Sequence, residues 1–372
     1  MENNVTHTQA GTNRGIKALV ASTLRNFLLW FLLFSFFVLA FGHLRPYRYF
    51  LPYKYSPALK MVSFIQSRPG ARVIFIGSSL TNYGIRPAVF HQKMKEAGLP
   101  VGSIFNLGMN STEITAHYYI VRDYLRGRRK PVVLFQEIGA RSLNVNSERR
   151  LEAWRYFSDW SDIPVNLYRS RSAAEREAAL SPLWRGFIVS AEMGRLELGR
   201  RIVMGYRVKH EGEEPLINYK ILTSRGTFED AEEAMRRTVQ AEVLRQYEPN
   251  AEMIRYLTGI LDICRERGIY VVLLHYPLSK SFRSILGQEI EARFNRIMRQ
   301  VLTRYPVPYL DLSNVPWADD RSLFWDPQHP TIAGAQKLST EITDRFIRRC
   351  GDDLRSIAKK YQKKASKTPR PR

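Results

Sequence analysis

From residue 73 onward, short, mainly apolar runs alternate with longer stretches whose apolar residues recur at helical spacing. The runs cover residues 73–76, 103–107, 132–138, 270–275 and 307–310, each rich in Val, Ile, Leu or Phe. The stretches between them predict helices at 87–98, 112–127, 251–267, 286–304 and 331–348, and Gly268 suits the C-terminal stop of the third. Strands alternating with helices of this length predict βαβ units. The expected fold is flavodoxin-like: three α/β/α layers around a mainly parallel sheet of about five strands. Residues 142–250 break the rhythm. They are rich in Arg, Glu and Trp, helical in pattern, and without a clear strand. We read them as a helical insertion or lid on the crevice side of the sheet.

The pattern before residue 70 is different. No charged side chain occurs between Asn26 and Leu44, and the centre, Phe27 to Phe41, is almost wholly apolar. A run of about 20 such residues is long enough to span a bilayer. With no polar face it does not read as a surface helix, and the long preceding region, the aromatic content and the basic flank at Arg45 and Arg48 favour a retained transmembrane anchor over a cleaved signal peptide. Basic residues flank both sides, so orientation follows the usual single-anchor arrangement. This places 1–25 in the cytoplasm, 26–44 in the membrane and the large domain outside, at the bacterial inner membrane facing the periplasm. Residues 45–70, with Tyr47, Tyr49, Tyr53 and Tyr55, read as a juxtamembrane connector at interfacial depth. The domain proper is expected at 71–350.

Composition adds constraints. Hydrophobic residues make up 44% of the 372 and charged residues 25%, a globular balance. The formal net charge of +22 suits anionic membrane surfaces or envelope polymers; no nucleic-acid motif accompanies it. Residues 351–372 gather Arg355, Lys359, Lys360, Lys363, Lys364, Lys367, Arg370 and Arg372, and read as a basic disordered tail. Cys264 and Cys350 form no CxxC pair and read as buried apolar residues. The histidines at 7, 43, 91, 117 and 210 show no ligand spacing, so no metal is expected, and no dinucleotide or phosphate loop follows the first strand. No cofactor is expected.

The chemistry concentrates at two places far apart in the chain. Gly77 ends the first strand and is followed by Ser78, Ser79, Leu80 and Thr81, at the sheet edge where ligands of open α/β folds bind. A serine hydroxyl needs a base, and the base needs a carboxylate to orient it. Asp326 and His329 stand three apart after the last candidate strand, with Pro330 suiting the first turn of the next helix. Glu137 and His275 end their own strands and are possible pocket residues.

Together these segments resemble the SGNH (GDSL-type) hydrolase family. Gly77-Ser78-Ser79-Leu80-Thr81 is similar to its Gly-Asp-Ser-x-Thr block, with Ser78 in the aspartate position. Phe105-Asn106-Leu107-Gly108-Met109-Asn110-Ser111 is similar to the second block, and Asp326-Pro327-Gln328-His329 to the last. The resemblance covers roughly residues 71–140 and 250–348. It implies Ser79 as nucleophile, His329 as general base and Asp326 as its orienting carboxylate. It also implies an oxyanion site from the backbone N–H groups of Ser79 and Gly108. The third block departs: Arg141 stands where the family has its oxyanion asparagine, so Asn110 or Arg141 is the candidate replacement, with Ser78 and Arg141 as further pocket residues. With its anchor, the chain resembles the branch holding the D-alanyl transfer protein of teichoic acid synthesis and envelope O-acyltransferases and esterases. That implies acylated polysaccharide, polyol or lipid substrates, the membrane, and a membrane-embedded acyl donor protein as partners. The alternative is an inactive SGNH-fold scaffold that binds anionic polymer.

Overall fold

The computed structural model describes residues 22–36, 72–99, 102–110, 112–125, 131–144, 148–158, 160–183, 227–238 and 247–365. The chain divides into two compact units, one made of residues 1–50 and 158–203, the other of 51–157 and 204–372.

In the larger unit five strands form one sheet: β1 (Val73–Gly77), β2 (Ile104–Gly108), β3 (Val133–Glu137), β4 (Tyr270–His275) and β5 (Tyr309–Asp311). Their order is β2-β1-β3-β4-β5 and every neighbouring pair is parallel. This is the flavodoxin-like order, and it gathers all the carboxyl ends on one edge. β1, β2 and β3 are buried at every position, because helices cover both faces. That is why they read as mainly apolar runs rather than as strict alternation.

Eight helices matter here: α1 (Ser79–Gly84), α2 (Pro87–Glu96), α3 (Ile114–Leu125), α4 (Glu148–Phe157), α5 (Ala251–Arg267), α6 (Lys280–Leu286), α7 (Gln288–Arg304) and α8 (Ile332–Ala365). α2 and α8 pack together over one face of the sheet. There Phe75 stacks on Phe135 at 4.3 Å, and Phe90 and Phe346 meet them at 5.2 Å and 4.8 Å. Side chains alternate across a strand, so Ile74 and Leu134 point to the opposite face, where α3 and α5 pack. α5 is capped as its sequence requires: Asn250 accepts from the N–H groups of Glu252 and Met253, and Gly268 takes φ +62°.

Four expectations are corrected. The first helix after β1 starts at Ser79, not near residue 87. The helix predicted over 331–348 runs on to Ala365, so the span 351–372 is not a disordered tail throughout. Its apolar stripe, Leu338, Ile342, Phe346, Cys350 and Leu354 at steps of four, continues past residue 348 and stays buried. Pro330 lies ahead of α8 and pairs with Phe324 in an isolated bridge. The insertion's first helix, α4, belongs to the core: Trp154 is fully buried and donates to Tyr256 on α5 at 3.1 Å, and Arg150 pairs with Glu252 at 3.0 Å.

The stem of the insertion is pinned where Asn144 bridges Pro249. In its helix Phe228–Thr238, Met235 packs on a small apolar cluster of Leu278, Phe282, Ile285 and Leu286. Residues 184–226 and 239–246 lie outside the described residues. The smaller unit contributes helices at 22–36 and 173–183 and the helix Ile163–Arg169. The side chains of 22–36 are largely exposed, Trp30 by 71%. Among the described residues no helix is long and apolar enough to cross a membrane. Residues 37–44 of the expected span, the connector 45–70 and residues 366–372 lie outside the described part.

Candidate active site

Gly77 closes β1 against a crowded edge, where a Cβ would run into Thr81 and the Glu137 carboxylate. The backbone then turns directly into α1. A helix of six residues is too short to hold itself, since nucleation outweighs the few bonds it makes. Here two side chains from the flanking strands hold it at both ends. At its start Glu137 of β3 accepts four hydrogen bonds: from Ser78 Oγ (2.6 Å) and N–H (2.8 Å), and from Thr81 Oγ1 (2.6 Å) and N–H (3.2 Å). Ser78 Oγ in turn accepts from the Leu80 N–H at 3.2 Å. At its end Asn106 of β2 donates to the carbonyls of Thr81 and Ile85, both at 3.0 Å. Ser79 is therefore presented from a turn fixed to the sheet.

The partner of Ser79 arrives from the other end of the chain. The loop 324–330 is closed by the Phe324–Pro330 bridge and by the Trp325 N–H donating to the His329 carbonyl at 2.8 Å. Within it Asp326 Oδ1 accepts from the N–H groups of Gln328 and His329, both at 2.8 Å. Its Oδ2 lies 2.7 Å from His329 Nδ1, and His329 Nε2 lies 2.8 Å from Ser79 Oγ. Burial would raise the Asp326 carboxyl, but the His329 ring and the two N–H groups outweigh it and hold it below the usual carboxylate range. An ionised carboxylate can only accept. Nδ1 therefore carries the ring proton, and Nε2 is left to accept from the Ser79 hydroxyl. Tyr83 of α1 meets the imidazole edge-on at 5.4 Å.

The other expected site residues are placed as follows. The Gly108 N–H donates to Asn106 Oδ1 at 2.9 Å, so it is not the ready oxyanion donor that the motif implied. Glycine is needed there for another reason: a Cβ would enter the backbone of Asn82 on α1. Asn110 accepts from Asn82 and donates to the Tyr83 hydroxyl, both at 2.8 Å, so one of its two amide hydrogens is engaged. Arg141 donates to Gln328 Oε1 at 3.0 Å, bracing the catalytic loop. Ser78 faces Glu137 and not an imidazole. Glu137, Ser78 and His275 all line a cavity of about 60 Å³ that opens beside Ser79. Among the described residues no group of three or more His, Cys, Asp or Glu side chains is arranged to hold a metal ion.

Sequence reasoning missed the clamp on α1. Glu137 was legible only as a strand-end carboxylate and Asn106 only as part of a motif, because their partners lie 56 and 25 residues away at Thr81.

Behind the site, His117 of α3 is fully enclosed between Gln136, which donates to Nδ1 at 3.0 Å, and Thr112 Oγ1, 3.1 Å from Nε2. Burial pushes its pKa down from 6.5 to about 3. The unfolded chain therefore takes up a proton below pH 6.5 that the folded chain refuses. Stability due to this group falls as pH drops from 6.5 toward 3, by about 1.4 kcal/mol per pH unit. Urea unfolding at stepped pH is expected to show that slope in the native protein relative to His117→Gln; parallel curves would refute it.

No family model matches the sequence, and no curated protein matches it. Among solved structures, a mutant of the esterase AlinE4 is similar at 15% identity and a TM-score of 0.33, over 76% of this chain and 98% of that one. A lipase/acylhydrolase from Enterococcus faecalis is similar at 13% and 0.34, over 75% and 96%. A lipolytic protein of the G-D-S-L family from Desulfitobacterium hafniense DCB-2 is similar at 12% and 0.35, over 73% and 97%. Likeness of this extent assigns no activity to the chain.

Proposed function

We propose that this chain is a serine esterase or O-acyltransferase of the kind its motifs resemble, working through an acyl-enzyme on Ser79. The observation that carries the proposal is the unbroken relay Ser79 Oγ, His329 Nε2, His329 Nδ1, Asp326 Oδ2, with steps of 2.8 Å and 2.7 Å across the ring.

The geometry supports the following cycle. His329 Nε2 takes the Ser79 proton as Oγ bonds to the carbonyl carbon of an ester. The resulting imidazolium is stabilised by the Asp326 carboxylate and returns its proton to the leaving oxygen as the old ester bond breaks. Water or a substrate hydroxyl then adds to the acyl carbon, its proton goes to His329, and Oγ recovers it on release. Water as acceptor gives an esterase; a polysaccharide, polyol or lipid hydroxyl gives a transferase. The negative oxygen needs preorganised donors, worth several kcal/mol. The Ser79 N–H makes no hydrogen bond among the described residues, and the second amide hydrogen of Asn110 is the companion we assign to it.

We place the enzyme at the bacterial inner membrane, its catalytic unit facing the envelope and served by a membrane-embedded acyl donor. Support comes from the charge-free run between Asn26 and Leu44 and from the exposed apolar side chains of 22–36. The test of the central claim is labelling with a fluorophosphonate, read by mass spectrometry. The native protein is expected to gain one adduct on Ser79, and Ser79→Ala none. Equal labelling of the two would end the reading.

A further inference from the structure

The cavity beside Ser79 has walls that the relay does not use. Its apolar side is formed by Ile138 and by Phe282 and Leu286 of α6. With Leu278 and Ile285, the last two make the small apolar cluster on which Met235 packs. α6 is tied to the catalytic loop, because Ser279 caps Phe282 at 3.1 Å and donates to the Pro327 carbonyl at 2.6 Å. These walls are therefore fixed relative to His329. The polar side holds His275, which is 6% exposed. Its Nδ1 lies 3.2 Å from both Asp311 Oδ1 and the Tyr309 hydroxyl, and its ring leans on Phe294 at 4.9 Å. The Cδ2–Nε2 edge runs along Gly139, another wall of the cavity. Nε2 has no hydrogen-bond partner among the described residues.

Two features decide what this space can take. His329, which must reach the leaving oxygen, is not among its walls. The leaving group therefore sits outside, and the acyl side of the ester is left to fill the cavity. The volume, about 60 Å³, is less than half that of a ~150 Å³ cavity able to hold a benzene ring. A longer alkyl chain would have to displace Phe282 or strip water from the His275 imidazole without giving it a partner, and both are unfavourable. We propose that this cavity is the acyl subsite, that it accepts short acyl groups of about two to four carbons, and that Phe282 and His275 set the limit.

The inference rests on Ser79 being the nucleophile. The experiment measures kcat/KM of the full chain for p-nitrophenyl acetate, butyrate and octanoate, alongside the fluorophosphonate labelling. The better short ester is expected to exceed octanoate by on the order of 100-fold. Phe282→Ala is expected to narrow that ratio at least about tenfold. His275→Leu, which leaves Asp311 its Ser313 partner, is expected to narrow it in the same direction. A protein that labels at Ser79 yet handles octanoate as well as acetate overturns the short-acyl limit alone. A ratio unmoved in both variants overturns the roles of Phe282 and His275. No Ser79-dependent turnover and no label overturns the esterase reading and this inference with it.

Discussion

Asp326→Asn is expected to lower ester turnover by about 10⁴-fold while leaving the fold intact. The reason lies in how Asp326 is held. Its Oδ1 accepts two backbone N–H groups, from Gln328 and His329. An asparagine must keep its carbonyl oxygen there, because the reverse flip would set an NH₂ against two donors. Its NH₂ then faces His329 Nδ1 at the place where Oδ2 stands at 2.7 Å. Nδ1 is forced to accept, so the ring proton moves to Nε2, and Nε2 can no longer take a proton from Ser79. The loop keeps its shape and loses its chemistry. The checks are kcat/KM on a short ester and a thermal melt; a loss under tenfold, or a collapse of the fold, would contradict the argument. The lost carboxylate also removes the partner of the imidazolium, so added alkali is not expected to restore the rate.

Much of this architecture could be read before any coordinates. Five mainly apolar runs and the helices between them pointed to the parallel sheet, since β1, β2 and β3 are buried on both faces and their polar residues are few: Asn106 in β2 and Gln136 and Glu137 at the end of β3. The approach of Ser79, His329 and Asp326 was expected from motif order alone, and the relay distances place the three together. What escaped the sequence has one physical character: polar contacts between residues with no local pattern. α1 has weak helical propensity in Ser79-Leu80-Thr81-Asn82-Tyr83-Gly84 and exists because Glu137 and Asn106 hold its ends. The Gly108 N–H looked available because the motif shows a glycine; the Asn106 side chain that accepts from it lies two residues earlier on the same strand, and sequence alone does not show where that side chain turns. The extension of α8 was hidden by basic residues on its outer side, although Cys350 and Leu354 continued its buried stripe.

The Ser78 position now has an explanation that leads to the second large effect. The motif that this segment resembles carries a carboxylate at that position; here it is a serine, and the carboxylate comes from the neighbouring strand as Glu137. It is 6% exposed and serves two hydroxyls and two backbone N–H groups of a single turn. Glu137→Ala removes the acceptor from all four donors at once. The hydroxyls can turn elsewhere, but the N–H groups of Ser78 and Thr81 cannot. Hydrogen bonds to a charged group are worth about 1.5–3 kcal/mol, and a buried orphan donor costs about 1–3 kcal/mol. A loss of roughly 4 kcal/mol of stability is therefore expected, a large part of the ~5–15 kcal/mol that holds an ordinary domain together. Because α1 carries Ser79, activity is expected to fall further than stability explains: at a temperature where the variant is still folded, kcat should drop at least tenfold, since a displacement of about 1 Å near the reacting atoms can cost 10²-fold. Glu137→Gln keeps the volume and one acceptor oxygen, and should fall between the two. Urea unfolding together with kcat measured below the transition separates the effects. If Glu137→Ala unfolds like the native protein and turns over a short ester at the native rate, the carboxylate is not what holds Ser79 in place.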